Sequence, residues 1–373
     1  MALFYAILML HYQGSWRQLP IWDIPAQYSA NTSIDIIIPA RNEASNIEAC
    51  LHSIFQNEYP LDQFQVWVVD DFSEDGTAAI VKDLTLKHSN LNLIQLKDSS
   101  NQNQFPFGKK QAIASAIAQS KNELIVATDA DCQVPDQWLN YIASYYQAHD
   151  KQFIAAPVNF MAERSLLERF QSLDFVGMML ITGAGIAQGW MHMSNGANLA
   201  YTRKVYQQVD GFQGIDHLAS GDDMLLMQKI AHQFPGSIGF LKNSEATVST
   251  KAQATLKDFV QQRVRWASKS NHYPEWRVTA ALAGVFFFCW SILGSFLLIP
   301  LQTTFFIPLF LGLLLLKASV DYYFLKEASH FFQRSELMRH FWPSQILHIL
   351  YICFVGLLAN LRKEYAWKGR KVR

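Results

Sequence analysis

No acid or base occurs between Val278 and Ile299, and that stretch constrains the chain more than any other. A helix rises about 1.5 Å per residue, so a run of this length matches the ~30 Å hydrocarbon core of a bilayer. Two further apolar runs follow, Phe305 to Phe324, which holds Lys317 and Asp321 in its second half, and Phe341 to Leu361. Charges within such a run belong at an interface or against other helices. The C-terminal part therefore reads as transmembrane helices, and the chemistry must be sought before residue 278.

Between about residue 30 and about residue 270 the texture is globular. Short apolar runs alternate with longer periodic segments, the signature of βαβ units. Ile34 to Ile38, Val66 to Val69, Leu91 to Leu96 and Leu124 to Ala127 read as strands; Ile47, Leu51 and Ile54 lie on one helix and Gly108 to Gln119 form another. Half of the 373 residues are hydrophobic, ample for a core. Lys plus Arg and Asp plus Glu both number 31, so no bulk charge draws the chain to nucleic acid. The four cysteines, Cys50, Cys132, Cys289 and Cys353, have no metal or redox spacing and suit a reducing compartment. Residues 2 to 10 are apolar but too short to cross a bilayer, and read as a partial or interfacial anchor.

Two of the strands end in carboxylates. Asp70 and Asp71 close one, and Asp129-Ala130-Asp131 closes another. In open α/β sheets ligands bind beyond the carboxyl ends of strands, where paired acids could hold a hard divalent cation facing a phosphate. Acids at such places also serve as plain helix caps, so the neighbours must decide. Pro39-Ala40-Arg41-Asn42-Glu43 is a turn rich in hydrogen-bonding groups that could hold a nucleoside, and Asp70 or Asp71 could accept from a base N–H or a ribose hydroxyl. Gly108-Lys109-Lys110 opens a helix and brings a cation and backbone donors toward any phosphate. Ser194 to Asn198 precedes a strand. Ser220-Gly221-Asp222-Asp223 opens a helix, where a carboxylate is a cap or, in a cleft, a general base. Gln262-Arg263-Val264-Arg265-Trp266 lies on an amphipathic segment, Leu256 to Ser270, a basic interfacial helix that could also line a site.

Taken in order, Pro39 to Glu43, Asp70-Asp71, Gly108-Lys109, Asp129-Ala130-Asp131, Gly221-Asp222-Asp223 and Gln262-x-x-Arg265-Trp266 resemble membrane-bound family 2 glycosyltransferases over residues 30 to 270. Trp367-Lys368-Gly369-Arg370 is similar to the tails of bacterial carotenoid, hopanoid and ceramide glycosyltransferases. The resemblance implies an α/β fold of the GT-A type, a Rossmann-like mixed sheet with helices on both faces, plus C-terminal transmembrane helices. It implies a short N-terminal anchor and linker at 1–29, a transferase domain at 30–254, an interfacial helix at 255–277, two or three transmembrane helices at 278–361 and a basic tail at 362–373. It further implies inverting transfer from a nucleotide sugar, a UDP-sugar. Asp71, with Asp70 and Glu43, would hold the uridine, and Pro39, Ala40, Arg41, Lys109, Asp129, Ala130 and Asp131 would complete the donor site. Asp131, assisted by Asp129, would bind Mg²⁺ or Mn²⁺ on the diphosphate, Arg265 and Lys109 would add donors there, and Asp223 would be the general base. Gln262 and Trp266 would border the acceptor. Where the family usually has Glu before the base, this chain has Asp222.

The acceptor must be read from the apolar segments. Ser165 to Trp190, with Phe175 to Ile181 at its heart, is either an amphipathic surface in the headgroup layer or a buried core helix. A headgroup location favours a membrane lipid hydroxyl as acceptor; a polysaccharide or polyprenyl-phosphate transferase is the alternative, and a catalytically silent nucleotide-sugar-binding membrane scaffold is a third class. Nucleotide sugars place the transferase domain on the cytoplasmic side of a bacterial inner membrane, consistent with Arg263, Arg265, Lys269 and Arg277 ahead of the first span. Three full crossings would put the basic tail outside, so one of the last two runs is expected to be re-entrant or interfacial.

Overall fold

The computed structural model describes residues 1–96, 108–189, 191–216, 221–267, 275–361, 365–367 and 370–372. Ser220, Trp190, Lys269 and most of the basic tail, named above, lie outside them. The chain forms two compact units, each discontinuous: a sheet unit of Pro20–Val158 and His192–Lys251, and a helical unit of Met1–Leu19, Asn159–Met191 and Ala252–Arg373.

In the sheet unit the apolar runs become strands β1 (Ile34–Ala40), β2 (Phe64–Asp70), β3 (Leu91–Gln95) and β4 (Leu124–Ala127), joined by helices α2 (Ile47–Phe55), α3 (Thr77–Thr85) and α4 (Lys109–Gln119). β1 and β4 are buried almost throughout rather than on alternate residues, as strands covered on both faces are. After α5 (Trp138–His149) come β5 (Phe153–Ala155), β7 (Leu199–Thr202), α7 (Arg203–Gln208), α8 (Met224–Gln233), β8 (Ile238–Phe240) and β9 (Val248–Lys251). The main sheet has the order β3-β2-β1-β4-β7-β5-β8. β3, β2, β1 and β4 run parallel, whereas β7 is antiparallel to both β4 and β5. In register Ala40 faces Asp70, Ile37 faces Ala127, and Ala127 faces Leu199. The carboxyl ends of β1, β2 and β4 and the start of β7 therefore share one edge.

The helical unit holds α1 (Ala2–Gln18), α6 (Leu166–Ala187), α9 (Leu256–Ala267), α10 (Trp276–Leu297), α11 (Thr303–Phe331) and α12 (Phe341–Leu361), with β6 (Val158–Met161) leading into α6. A short hairpin of β10 (Tyr365–Trp367) and β11 (Arg370–Val372) follows. Residues 2 to 10 are thus the first part of a longer helix. α1 buries Tyr5, Tyr12 and Trp16, sets Trp16 edge-on to Phe331 at 4.9 Å, and joins Arg17 to Glu327 at 2.7 Å.

α6 starts with a full capping box, Ser165 accepting from the Glu168 amide while Glu168 returns the bond. Of its two expected settings, α6 takes the buried one, packed against α1, α11 and α12. Gly177 allows this, because a Cβ there would stand 2.8 Å from Leu325 of α11. Lys317 and Asp321 face neighbouring helices, with Lys317 bonded to Asp321 and, at 3.1 Å, to Gln345 of α12. Among the described residues four helices are long and apolar enough to cross a membrane, α6, α10, α11 and residues 335–359 around α12.

Candidate active site

The loops after β1 and β2 are knitted together. Arg41 is buried and its guanidinium donates to the main-chain oxygens of Asp71 at 2.7 Å and Phe72 at 2.8 Å. Glu43 accepts from Asn46 at 2.8 Å through its side chain, while its own amide donates to Thr77 at 2.8 Å. Asn42 and Ser73, and Ala44 and Asp75, close further bonds between the loops. Arg41 and Glu43 thus brace the turn.

Asp70 is different. It has no exposed surface, and neither of its carboxylate oxygens has a hydrogen-bond partner among the described residues. A buried carboxylate left this way is costly unless a ligand N–H or hydroxyl meets it. Asp71 lies beside it, only 2% exposed, with its amide bonded to Ala40 at 2.8 Å.

At the end of β4 the chain turns through Thr128 into Asp129-Ala130-Asp131. Ligand atoms of Asp129, Asp131 and Cys132 all lie within 4.8 Å of one another. Cys132 is buried, and burial, reinforced by the charges of Asp131 and Asp129, pushes its thiol well above its ordinary range. Cys50, whose Sγ lies 3.6 Å from the Asp129 main-chain oxygen, is raised for the same reasons. Two protonated thiols are poor ligands, so the carboxylates of Asp129 and Asp131 are the pair suited to a hard divalent cation.

Lys109 ties this edge to the start of α8. Its Nζ stands 2.7 Å from Asp129 and 3.1 Å from Asp222. Burial opposes its charge, but Asp129, Asp222 and Asp223 together hold the ammonium above its ordinary range. Gly108 makes the approach possible with φ 139°, a conformation side chains avoid. Gly196, in the loop before β7, lets the Lys109 ammonium lie close, since a Cβ there would stand 2.7 Å from it and the lysine would have to shift. Lys110 points elsewhere, to the Ile215 oxygen at 2.5 Å.

Asp223 caps α8, accepting from the Met224 amide at 2.7 Å through one oxygen and from the Gly196 amide at 3.0 Å through the other. Asn198, fully buried, accepts from the Trp138 indole at 2.9 Å and donates to Pro157 and Ala246, fixing the loop that carries Gly196. The sequence marked the segment 194–198 without a role; its two working residues are Gly196 and Asn198.

Gln262, Arg265 and Trp266 sit on α9 in the helical unit, a different unit from the acids. The Gln262 amide oxygen is buried with no hydrogen-bond partner among the described residues, and Trp266 packs against Phe175 of α6 at 6.1 Å between ring centroids.

The family model of "Glycosyl transferase family group 2" matches residues 124–325, and that of "Glycosyl transferase family 2" matches residues 35–209. The chain belongs to glycosyltransferase family 2. It is 28% identical over 196 residues to the glycosyltransferase AglE of Haloferax volcanii, covering 51% of this chain and 59% of that one. Against the probable glycosyltransferase YdaM of Bacillus subtilis identity is 25% over 274 residues, 70% and 60% of the two chains. Against a beta-monoglucosyldiacylglycerol synthase of Synechocystis it is 26% over 239 residues, 62% and 46%. The chain thus spans 46–60% of the length of these curated relatives. A solved mannosyltransferase of Pyrobaculum calidifontis, in complex with GDP-Man and Mn2+, superposes with a TM-score of 0.56 at 19% identity, over 96% of this chain and 99% of that one. At that identity the likeness carries the fold, which is GT-A, as the resemblance implied.

Proposed function

We propose that the chain is an inverting glycosyltransferase that moves a sugar from a nucleotide sugar, a UDP-sugar, to a membrane lipid hydroxyl. The observation that carries this is the direct contact among Asp129, Lys109, Asp222, Gly196 and Asp223 at the edge where β1, β2 and β4 end. It supports reading the strand-end acids and the α8 cap as parts of one site. Asp70 and Asp71 would accept from the base and ribose, with Pro39, Ala40, Arg41 and Glu43 shaping their loop. Asp131, with Asp129, would hold Mg²⁺ or Mn²⁺; when bound, that ion neutralises charge on the departing diphosphate. Ala130, small and buried, keeps the two acids one residue apart.

Asp223 would take the proton of the acceptor hydroxyl as its oxygen attacks the anomeric carbon. The bond from that carbon to the diphosphate oxygen breaks on the opposite face, so configuration inverts. The amides of Gly196 and Met224 fix both oxygens of Asp223 for that task, and Asp222 holds Lys109 in place rather than acting on substrate. Gln262, Arg265 and Trp266 would act from α9 on the diphosphate and acceptor. The acceptor class rests on the apolar helices and on the named activity of the diacylglycerol-modifying relative.

Membrane topology follows from connectivity. Both flanks of α6 lead back into one sheet, since β5 before it pairs with β7 after it, and an extended return strand cannot cross lipid. α12 starts against α11, with Phe341 on Tyr322, stacks Tyr351 on Phe170 and Phe259 near its middle, and ends in the β10 hairpin beside α9. It stays with α6 and α9. The crossing pair is then α10 and α11, whose facing ends expose Phe296, Leu297, Leu301 and Phe305. Two crossings leave the tail on the cytoplasmic side.

The test is nucleoside diphosphate release in phospholipid vesicles containing diacylglycerol, with Mn²⁺ and a panel of UDP-sugars and GDP-mannose. Wild type should turn over at least one UDP-sugar and glycosylate the lipid, and Asp223→Asn should lose activity by a factor of about 10² or more. A mutant as fast as wild type removes the base assignment; release without lipid product removes the acceptor.

A further inference from the structure

The helical unit contains a buried ionic cluster that the proposed reaction does not use. Arg263 is one residue after Gln262 and two before Arg265, yet only 3% of its side chain is exposed. Its guanidinium lies 3.1 Å from the Asp174 carboxylate of α6. It is close enough for an ion pair, although that nitrogen is not aligned for a hydrogen bond. Three rings surround it, Trp266 at 4.5 Å, Phe259 at 5.2 Å and Tyr351 at 5.8 Å from their centroids. Asp174 also accepts from the Tyr351 hydroxyl at 3.5 Å and has His348 Nε2 at 3.9 Å. Its two charged neighbours from α11, Lys317 and Asp321, are paired with each other.

A charge so buried is expensive unless its position matters, and replacing such a pair by apolar residues often stabilises a protein. Along α9, Phe259, Arg263 and Trp266 recur at helical spacing and form one face, so the pair fixes the rotation of the helix about its axis. A planar guanidinium stacked on an indole and held edge-on by a carboxylate is geometrically more demanding than an aliphatic contact. The ring contacts of Phe259 and Trp266 with α6 and α12 tolerate rotation better than that arrangement does.

We propose that Asp174 and Arg263, backed by Tyr351 of α12, are positioning residues that set the rotation of α9 and so aim Gln262, Arg265 and Trp266. This rests on the reading of those three as reactive-site groups. It makes the α6–α9 ion pair a gauge for the reaction, and it assigns a role to the first variable position of the Gln-x-x-Arg-Trp run in this chain.

The experiment uses the full chain in vesicles, with the nucleotide-release assay above and fluorine NMR of fluorotryptophan-labelled protein, the Trp266 resonance assigned by its loss in Trp266→Phe. Asp174→Asn and Arg263→Lys should each lower kcat about tenfold or more while donor KM changes less than about twofold, and should shift the Trp266 resonance. Arg263→Lys keeps the charge but not the planar stack, so charge alone should not rescue. The double variant Asp174→Asn/Arg263→Met should lose no more than the worse single, because the pair acts as one unit. Tyr351→Phe, which leaves no unpaired buried charge, should give a smaller kcat loss and a smaller shift, and keeps the test open should Asp174→Asn not fold. Unchanged kcat with an unmoved resonance in Asp174→Asn or Tyr351→Phe overturns the proposal. If Arg265→Ala and Trp266→Phe retain full activity, the parent reading falls instead, while the resonance shift still reports whether the pair aims the helix.

Discussion

Lys109→Met tests the core of the site in isolation from turnover. The substitution keeps the stem and deletes a charge that stands 2.7 Å from Asp129 and 3.1 Å from Asp222. At an effective dielectric constant of about 20, Coulomb's law gives about 6 and about 5 kcal/mol for the two contacts, and in bulk water about 1.5 and about 1.3 kcal/mol. The Lys109 side chain is 19% exposed, Asp222 10% and Asp129 36%, so the true setting lies between these limits and the desolvation of the ammonium offsets much of the gain. Removing one member of a fully buried pair costs about 3–5 kcal/mol and of an exposed pair about 0–1 kcal/mol. Discounting the Asp129 contact heavily for solvent leaves about 2 kcal/mol, most of it from Asp222. A thermal melt of the full chain should therefore fall by roughly 4–8 °C, at about 2–4 °C per kcal/mol for a unit of this size. Asp222→Asn in the same chain should recover part of that loss, since the orphaned carboxylate goes with it. Mn²⁺ should raise the melting temperature more in Lys109→Met than in wild type, because the ion then has no ammonium to displace from Asp129. Equal melting temperatures for the two proteins, or an equal Mn²⁺ shift, would refute the view that Lys109 neutralises both acids.

Three further outcomes follow from the same structure. Asn198→Ala leaves the Trp138 indole and the Ala246 oxygen without the amide and the Pro157 oxygen with only the Val248 amide, and should destabilise by about 2–4 kcal/mol in chemical denaturation; a loss under about 1 kcal/mol would show that water replaces the amide. His88 stacks on Phe55 at 3.8 Å, and burial, with the charges of Lys87 and His52, lowers its pKa below 6.5. The unfolded chain then takes up the proton first, so stability present above pH ~6.5 is lost as the pH falls toward the folded value, and His88→Gln should flatten that dependence in melts between about pH 5 and 8. Cys132→Ala should leave the Mn²⁺-induced shift in melting temperature unchanged, as its thiol stays protonated, whereas Asp131→Asn should abolish it; an effect of Cys132→Ala comparable to that of Asp131→Asn would make the thiol a ligand.

Much of the sheet unit was legible because its signals are local. Leu124 to Ala127 is an uninterrupted apolar run and Ile34 to Ile38 is broken only by Asp35, the pattern of doubly covered strands, and the rule that ligands gather at carboxyl ends brought Asp70 and Asp129 to one edge. The partners of Lys109 were not legible, since it reaches Asp222 across more than a hundred residues through the antiparallel insertion of β7, which no local pattern announces. Arg41 read as a ligand contact, and the bonds of its Nη1 to the main chain of Asp71 and Phe72, across the loop, were not legible. Gln345, His348 and Tyr351 lie within what the sequence shows only as an apolar run, and their partners are Lys317 and Asp174 on other helices. Likewise Arg263 read as one more basic residue at a headgroup surface, and only packing reveals it as interior.

The route of the chain through α6 also governs how the molecule can come into being. β7 lies between β4 and β5 in the sheet, but it emerges only after the whole of α6 has been made. The flank of α6 that α1 leaves uncovered meets α11 and α12 only once they follow, so until then the nascent chain carries an exposed apolar helix face. A chain shortened at Lys251 in search of a soluble catalytic unit should aggregate, for the same reason.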